Sequence, residues 1–129
     1  MLSITKKEMK ALLHSQQGEL DGVEMYKALA RTVKEQKDSE TFLQLAADEG
    51  RHATVFYRLS GKRPKPKRWK GKGVAFAYRI LGKTAIYPII ANREYAAKNN
   101  YASLAKRFPD VADIIGVEMR HVDAVKNLL

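Results

Sequence analysis

The 129-residue sequence contains no cysteine. This absence excludes disulfides, thiolate zinc sites and iron–sulfur clusters, so any metal ion must be held by oxygen and nitrogen atoms. The N-terminus also lacks the apolar segment of a secretory signal, because Lys6, Lys7 and Lys10 interrupt it. We therefore expect a cytoplasmic protein whose residues 1–129 form a single domain.

Long uncharged apolar runs are also lacking. The most apolar stretch, residues 74–91, is at the short edge of what a membrane span needs, and Arg79 and Lys83 lie near its centre. We expect it to form an amphipathic or buried helix rather than a membrane span, and peripheral membrane contact is the less favoured alternative. Its apolar content favours assembly into a homodimer or a larger homo-oligomer.

Acidic residues are absent from residues 62–72, where seven of the 24 Lys and Arg residues lie. The formal net charge is +10, but the remaining 17 basic residues nearly balance the 14 acidic ones. Such clustering is typical of a solvated connection, so we do not expect nucleic-acid binding. Docking of an acidic redox partner or of a phosphate-bearing surface is the alternative role for this segment.

The spacing of apolar residues predicts two helical hairpins, at about residues 3–60 and 74–128. Between them, residues 61–73 hold three glycines and two prolines, which predicts a non-helical crossover long enough to run the length of a bundle. Pro88 is expected to mark a kink or a break. The predicted fold is therefore an all-α four-helix bundle with one long crossover between its second and third helices.

A Glu-x-x-His motif occurs twice within these helices, and another glutamate precedes each copy by about one helix and a turn. Residues three apart share a helix face, and the antiparallel hairpins are expected to place each earlier glutamate level with its motif. The sequence thus predicts one buried cluster of four carboxylates and two imidazoles. Its members are Glu24, Glu49, His52, Glu94, Glu118 and His121.

Four buried carboxylates need charge compensation, because desolvation and mutual repulsion disfavour their ionised forms. Two divalent cations would balance the four charges, and oxygen-rich ligation with one imidazole per metal suits iron or manganese. A single Glu-x-x-His is common by chance, but two copies in matching repeats favour a metal site. Asp21, which shares a helix face with Glu24, is an alternative extra ligand or hydrogen-bond partner.

This pattern resembles the rubrerythrin branch of the ferritin-like di-iron proteins over essentially the whole chain. Glu24, residues 48–53, Glu94 and residues 118–121 carry the resemblance. It implies two iron ions with Glu24 and Glu94 as terminal ligands, and oxidoreductase chemistry with peroxide or oxygen. Glu49 and Glu118 would be the bridging ligands. His52 and His121 would supply one imidazole to each iron.

The chain departs from the family's pattern in two respects. Ala97 stands where rubrerythrins typically have a further glutamate, which weighs against efficient peroxide reduction. The chain also lacks cysteines for a rubredoxin-type iron site, so the resemblance implies a separate electron donor. Tyr101 resembles a tyrosine that lies beside such centres, but Arg31 occupies the corresponding position after Glu24.

Three functions therefore stay open. The first is a peroxidase or ferroxidase, and the second is an iron-binding or storage protein without turnover. The third is a metal-free interaction module that uses the basic crossover.

Overall fold

The computed structural model describes residues 3–129. In this range the chain forms five helices and no strand, which confirms the predicted all-α class. The helices are α1 (Lys6–Thr32), α2 (Gln36–Ser60), α3 (Arg68–Leu81), α4 (Lys83–Arg107) and α5 (Pro109–Lys126).

Two hairpins build the bundle. The capping box between Thr5 and Glu8 starts α1, since each side chain pairs with the backbone N–H of the other residue. Three residues connect α1 to α2, and a single residue, Phe108, connects α4 to α5. Connections this short make the joined helices antiparallel neighbours.

The core consists of two apolar clusters at different heights of the bundle. One surrounds Tyr26, Phe42 and Tyr87, and the other surrounds Phe56 and Phe108. Along each of the four bundle helices, a layer of charged residues lies between the positions that supply these two clusters. The two cores therefore enclose a polar layer and shield it from solvent.

The crossover is shorter than predicted, because α3 begins within it at Arg68. The carboxylate of Asp21 accepts a hydrogen bond of 2.7 Å from the Lys67 N–H, just before the first turn of α3. Asp21 thus satisfies an N–H group at the start of α3. Gly71 then lies directly against the backbone of Met25, which allows α3 to pack on α1.

The third helical region is interrupted at Gly82 and not at Pro88, so a break at Pro88 was a wrong expectation. Gly82 has φ +80°, a conformation that glycine adopts without steric cost, and it separates α3 from α4. Pro88 lies inside α4, six residues after Gly82. It removes only one backbone hydrogen bond there.

The fold is thus a four-helix bundle of α1, α2, α4 and α5 with the additional helix α3 on its outside. Within residues 3–129, none of the helices combines the length and the apolar character that a bilayer crossing needs.

Candidate metal centre

The polar layer brings six ionisable side chains together, with one carboxylate from each bundle helix. All six are at most 6% exposed. They form two groups of four, in each of which the candidate ligand atoms lie within 4.8 Å of one another, and Glu49 and Glu118 belong to both groups. The other members are Glu19 and His52 in the first group, and Glu94 and His121 in the second.

Five of the six predicted residues meet here, but Glu24 does not. Its side chain is partly exposed and lies 3.7 Å from the Arg68 guanidinium on the outer side of α1. The fourth carboxylate comes instead from Glu19, which is 2% exposed. Glu19 therefore occupies the place in the cluster that the sequence analysis expected for Glu24.

The boundary of α1 explains the difference. The apolar spacing of the sequence predicts a first helix that runs from Ser3 to about Gln36, but α1 ends at Thr32 and α2 begins at Gln36. Glu19 is thirteen residues before the end of α1, and Glu49 is thirteen residues after the start of α2. At 1.5 Å per residue both lie roughly 20 Å from the turn, whereas Glu24 lies only about 12 Å from it.

The donor set fits metal ions, as its unpaired atoms show. Among the described residues, the buried side-chain polar atoms without a hydrogen-bond partner are one oxygen each of Glu19, Glu49, Glu94 and Glu118, and Nδ1 of His121. Buried polar groups almost always find a partner, and an unpaired one costs about 1–3 kcal/mol. All of these atoms belong to one cluster, so the cluster fits a metal site.

The two histidines present Nδ1 to the centre. In His52 this nitrogen lies 3.0 Å from Glu118 Oε1 and 3.4 Å from Glu19 Oε2. In His121 the other ring nitrogen, Nε2, lies 2.9 Å from Asp48 Oδ2. A proton on Nε2 would donate to Asp48 and leave Nδ1 as the lone-pair donor, an arrangement common among metal-binding histidines.

Two tyrosines brace the outer carboxylates across the bundle. The Tyr26 hydroxyl of α1 donates to Glu94 of α4, and the Tyr101 hydroxyl of α4 donates to Glu19 of α1. Burial, followed by the adjacent carboxylate, raises the pKa of both phenols far above the ordinary value of 10.0. Both tyrosines therefore remain neutral donors.

Tyr26 was missed by the sequence reasoning, although a signal existed. Tyr26 follows Glu19 by seven residues, as Tyr101 follows Glu94. Taking Glu24 as the ligand hid this symmetry, because Arg31 then occupied the matching position.

Arg93 was also missed, and it places a fixed cation beside the carboxylates. Its guanidinium lies 3.2 Å from Glu94 and 3.6 Å from Glu49, and it donates to the Gly18 carbonyl at 2.6 Å. Burial opposes its charge, but Tyr26 and the nearby glutamates outweigh this effect and raise the pKa of Arg93. One positive charge thus offsets part of the negative charge in the cluster.

Two openings lead to the centre. A cavity of about 470 Å³ between α2 and α5 is lined by both histidines and Arg120. A second, of about 230 Å³, is lined by Glu19, Ala97 and other residues of the opposite side. Both exceed the roughly 30 Å³ that one water molecule occupies in the liquid, so small molecules have room to enter.

One of the comparisons with known proteins identifies the family. A family model described as Rubrerythrin matches residues 10–129, nearly the whole chain. No curated protein and no solved structure matches the sequence.

Proposed function

Because the chain belongs to the rubrerythrin family of the ferritin-like di-iron carboxylate superfamily, we propose that it is a di-iron oxidoreductase that reacts with peroxide or oxygen. The observation that supports this most directly is the set of unpaired buried atoms contributed by four glutamates and a histidine. Manganese would suit the same donors, and the preference for iron comes from the family.

Each ligand's role is proposed from its place in the two groups. Glu49 and Glu118 belong to both groups and would bridge the two ions. Glu19 with His52 would complete one ion's coordination. Glu94 with His121 would complete the other's.

Two Fe(II) ions held there would supply one electron each, so that one peroxide molecule and two protons become two water molecules. The protein's own contribution is positional. Tyr26 and Tyr101 hold the outer carboxylates, Asp48 orients the ring of His121, and the two apolar cores cover the polar layer on both sides along the bundle. Arg93 offsets part of the carboxylate charge through its ion pairs with Glu49 and Glu94.

Ferroxidase chemistry with oxygen is a second candidate, and Ala97 favours it. This residue borders the cavity beside Glu19 and Tyr101, so no additional carboxylate reaches the centre from that position. Either reaction leaves two ferric ions, and turnover as a peroxidase needs a separate reductant, which we propose is an electron-donor protein.

Anaerobic loading with Fe(II), followed by rapid mixing with peroxide or with oxygen, tests the proposal. We expect about two Fe(II) per chain, oxidised by one equivalent of peroxide and restored by a chemical reductant over many cycles. Faster oxidation by oxygen, with release or mineralisation of ferric iron, would favour the ferroxidase. Failure to bind Fe(II) under anaerobic conditions would refute both.

A further inference from the structure

The outward side of α3 carries large apolar side chains that nothing in the described chain covers. We call this side, with Trp69, Lys72, Phe76, Arg79 and Ile80, the α3 surface. Trp69 is 70% exposed, Phe76 65% and Ile80 67%. Residues 69, 76 and 80 share a helix face at spacings of seven and four, so their side chains form a stripe along the helix.

Positive charge accompanies this stripe. Residues 61–93 contain ten Lys and Arg residues and no Asp or Glu. Some of these cations pair with acids on α1, as Arg68 does with Glu24 and Lys70 with Asp21. Within residues 3–129, Lys72 and Arg79 make no ion pair, so the cations nearest to Phe76 are free to meet an external anion.

The end of α1 adds cations to the same surface. Arg31, Lys34 and Arg79 line a cavity of about 540 Å³ between the ends of α1 and α3. An adjoining cavity of about 300 Å³ is also lined by Arg31 and Arg79, together with Lys72 and Phe76. Four cationic side chains therefore line two neighbouring hollows, and the exposed ring of Phe76 borders one of them.

We propose that the α3 surface binds peripherally to a membrane that contains anionic phospholipids. Arg31, Lys34, Lys72 and Arg79 would receive the phosphate groups, while Trp69, Phe76 and Ile80 enter the boundary with the acyl chains. A helix with one apolar face and flanking Lys and Arg binds in the interface plane by these two contributions. The charges at Arg79 and Lys83 that argue against a membrane span do not oppose this orientation.

The alternatives fit this surface less well. Single-stranded nucleic acid stacks on aromatic rings, but it leaves exposed aliphatic side chains such as Ile80 and Leu81 without a partner. A twofold contact between two copies would bring both sets of basic residues face to face, at a cost in repulsion. An anionic bilayer matches both the charge and the apolar stripe.

Vesicle co-sedimentation of the full chain, with and without phosphatidylserine in phosphatidylcholine, tests the proposal. We expect binding to the anionic vesicles only, weakened by added salt because exposed charges are screened. Trp69 is the sole tryptophan, so its fluorescence should shift to shorter wavelength and resist aqueous quenchers when vesicles bind. These measurements do not depend on the metal centre.

Matched variants separate the charge from the apolar contribution. The double variant Lys72→Gln, Arg79→Gln should bind roughly 30-fold more weakly, from about 1 kcal/mol per cation near an anionic surface. Lys7→Gln with Lys10→Gln removes the same charge at the far end of α1 and should change binding little. Circular dichroism checks that each variant is folded.

A second pair of variants tests the apolar contribution in the same way. Phe76→Ser should weaken binding about tenfold or more, since burial of a Phe side chain contributes about 1.5–3 kcal/mol. Leu43→Ser replaces an apolar residue of α2 that is 53% exposed and should have no effect.

Four results would overturn the proposal, and three of them concern the vesicles and the variants. These are no preference for anionic vesicles, equal weakening by the control variants, or a dimer in solution that Phe76→Ser dissociates while vesicle binding is absent. Tighter binding to single-stranded nucleic acid than to vesicles would likewise assign the surface to a different partner.

Discussion

Replacing Gly71 by alanine tests how α3 is attached to the bundle. A Cβ atom at this position would lie 2.7 Å from Met25 Cα and 2.8 Å from Met25 N, both backbone atoms of α1. At Gly73, in the same helix, a Cβ would meet nothing within 4 Å. The two glycines therefore form a matched pair in which only the contact with α1 differs.

The expected magnitudes follow from these distances. Alanine is favoured over glycine in a helix interior by about 1 kcal/mol, so Gly73→Ala should stabilise the protein by up to that amount. At Gly71 the new contact is about 0.7 Å shorter than the 3.4 Å at which ordinary contact begins. Overpacking of this kind costs about 1–3 kcal/mol. Gly71→Ala should therefore be less stable than Gly73→Ala by that cost.

Urea unfolding followed by circular dichroism measures this difference, with Trp69 fluorescence as a second probe located in α3. A thermal scan should show the melting temperatures separated by about 4 °C per kcal/mol. If Gly71→Ala were as stable as Gly73→Ala on both probes, α3 would not lie against α1 at Met25. The position argued for the α3 surface would then be wrong.

Two further substitutions probe the buried polar contacts. Tyr87→Phe removes the hydroxyl that donates to the buried Asp38 carboxylate at 2.7 Å, and it should lower the free energy of unfolding in urea by about 1.5–3 kcal/mol. The same change at the exposed Tyr95 should leave that free energy almost unchanged. Equal effects of the two substitutions would refute the argument. Asp48→Ala removes the partner of His121 Nε2 and should lower metal affinity about 10–100-fold in a competition titration. Asp48→Asn should restore part of this affinity. Unchanged affinity in Asp48→Ala would contradict the proposal that Asp48 orients His121.

The sequence was sufficient for the bundle, because helical periodicity and short connections determine which helices are neighbours. The placement of both Glu-x-x-His motifs could also be predicted. Their i, i+3 spacing places both side chains on one helix face, wherever the helix begins and ends. The Glu and the His of each motif could therefore be placed together without knowledge of where the turn between the helices lies.

To predict which glutamate of α1 reaches the cluster, the position of the turn between α1 and α2 has to be known. Extending α1 by four residues made Glu24 level with Glu49, so a boundary error of one helical turn selected a glutamate that lies outside the cluster. The seven-residue spacing to a tyrosine was the stronger signal, because it lies within one helix and does not depend on where the helix ends. It would have identified Glu19 with Tyr26.

The prediction that residues 61–73 form a non-helical crossover was wrong for a different reason. Its glycines and prolines favour non-helical structure locally, but Asp21 accepts from the Lys67 N–H and Gly71 fits against Met25. Both contacts join residues more than forty positions apart. Local sequence patterns do not contain such information.

Iron content of the variants Glu19→Ala and Glu24→Ala, after anaerobic loading and removal of loosely bound metal, tests the central claim most directly. Both substitutions remove one carboxylate from α1, only five residues apart. We predict that Glu24→Ala retains about two iron ions per chain, while Glu19→Ala loses at least one of them. Retention by Glu19→Ala together with loss by Glu24→Ala would contradict the centre described for this protein.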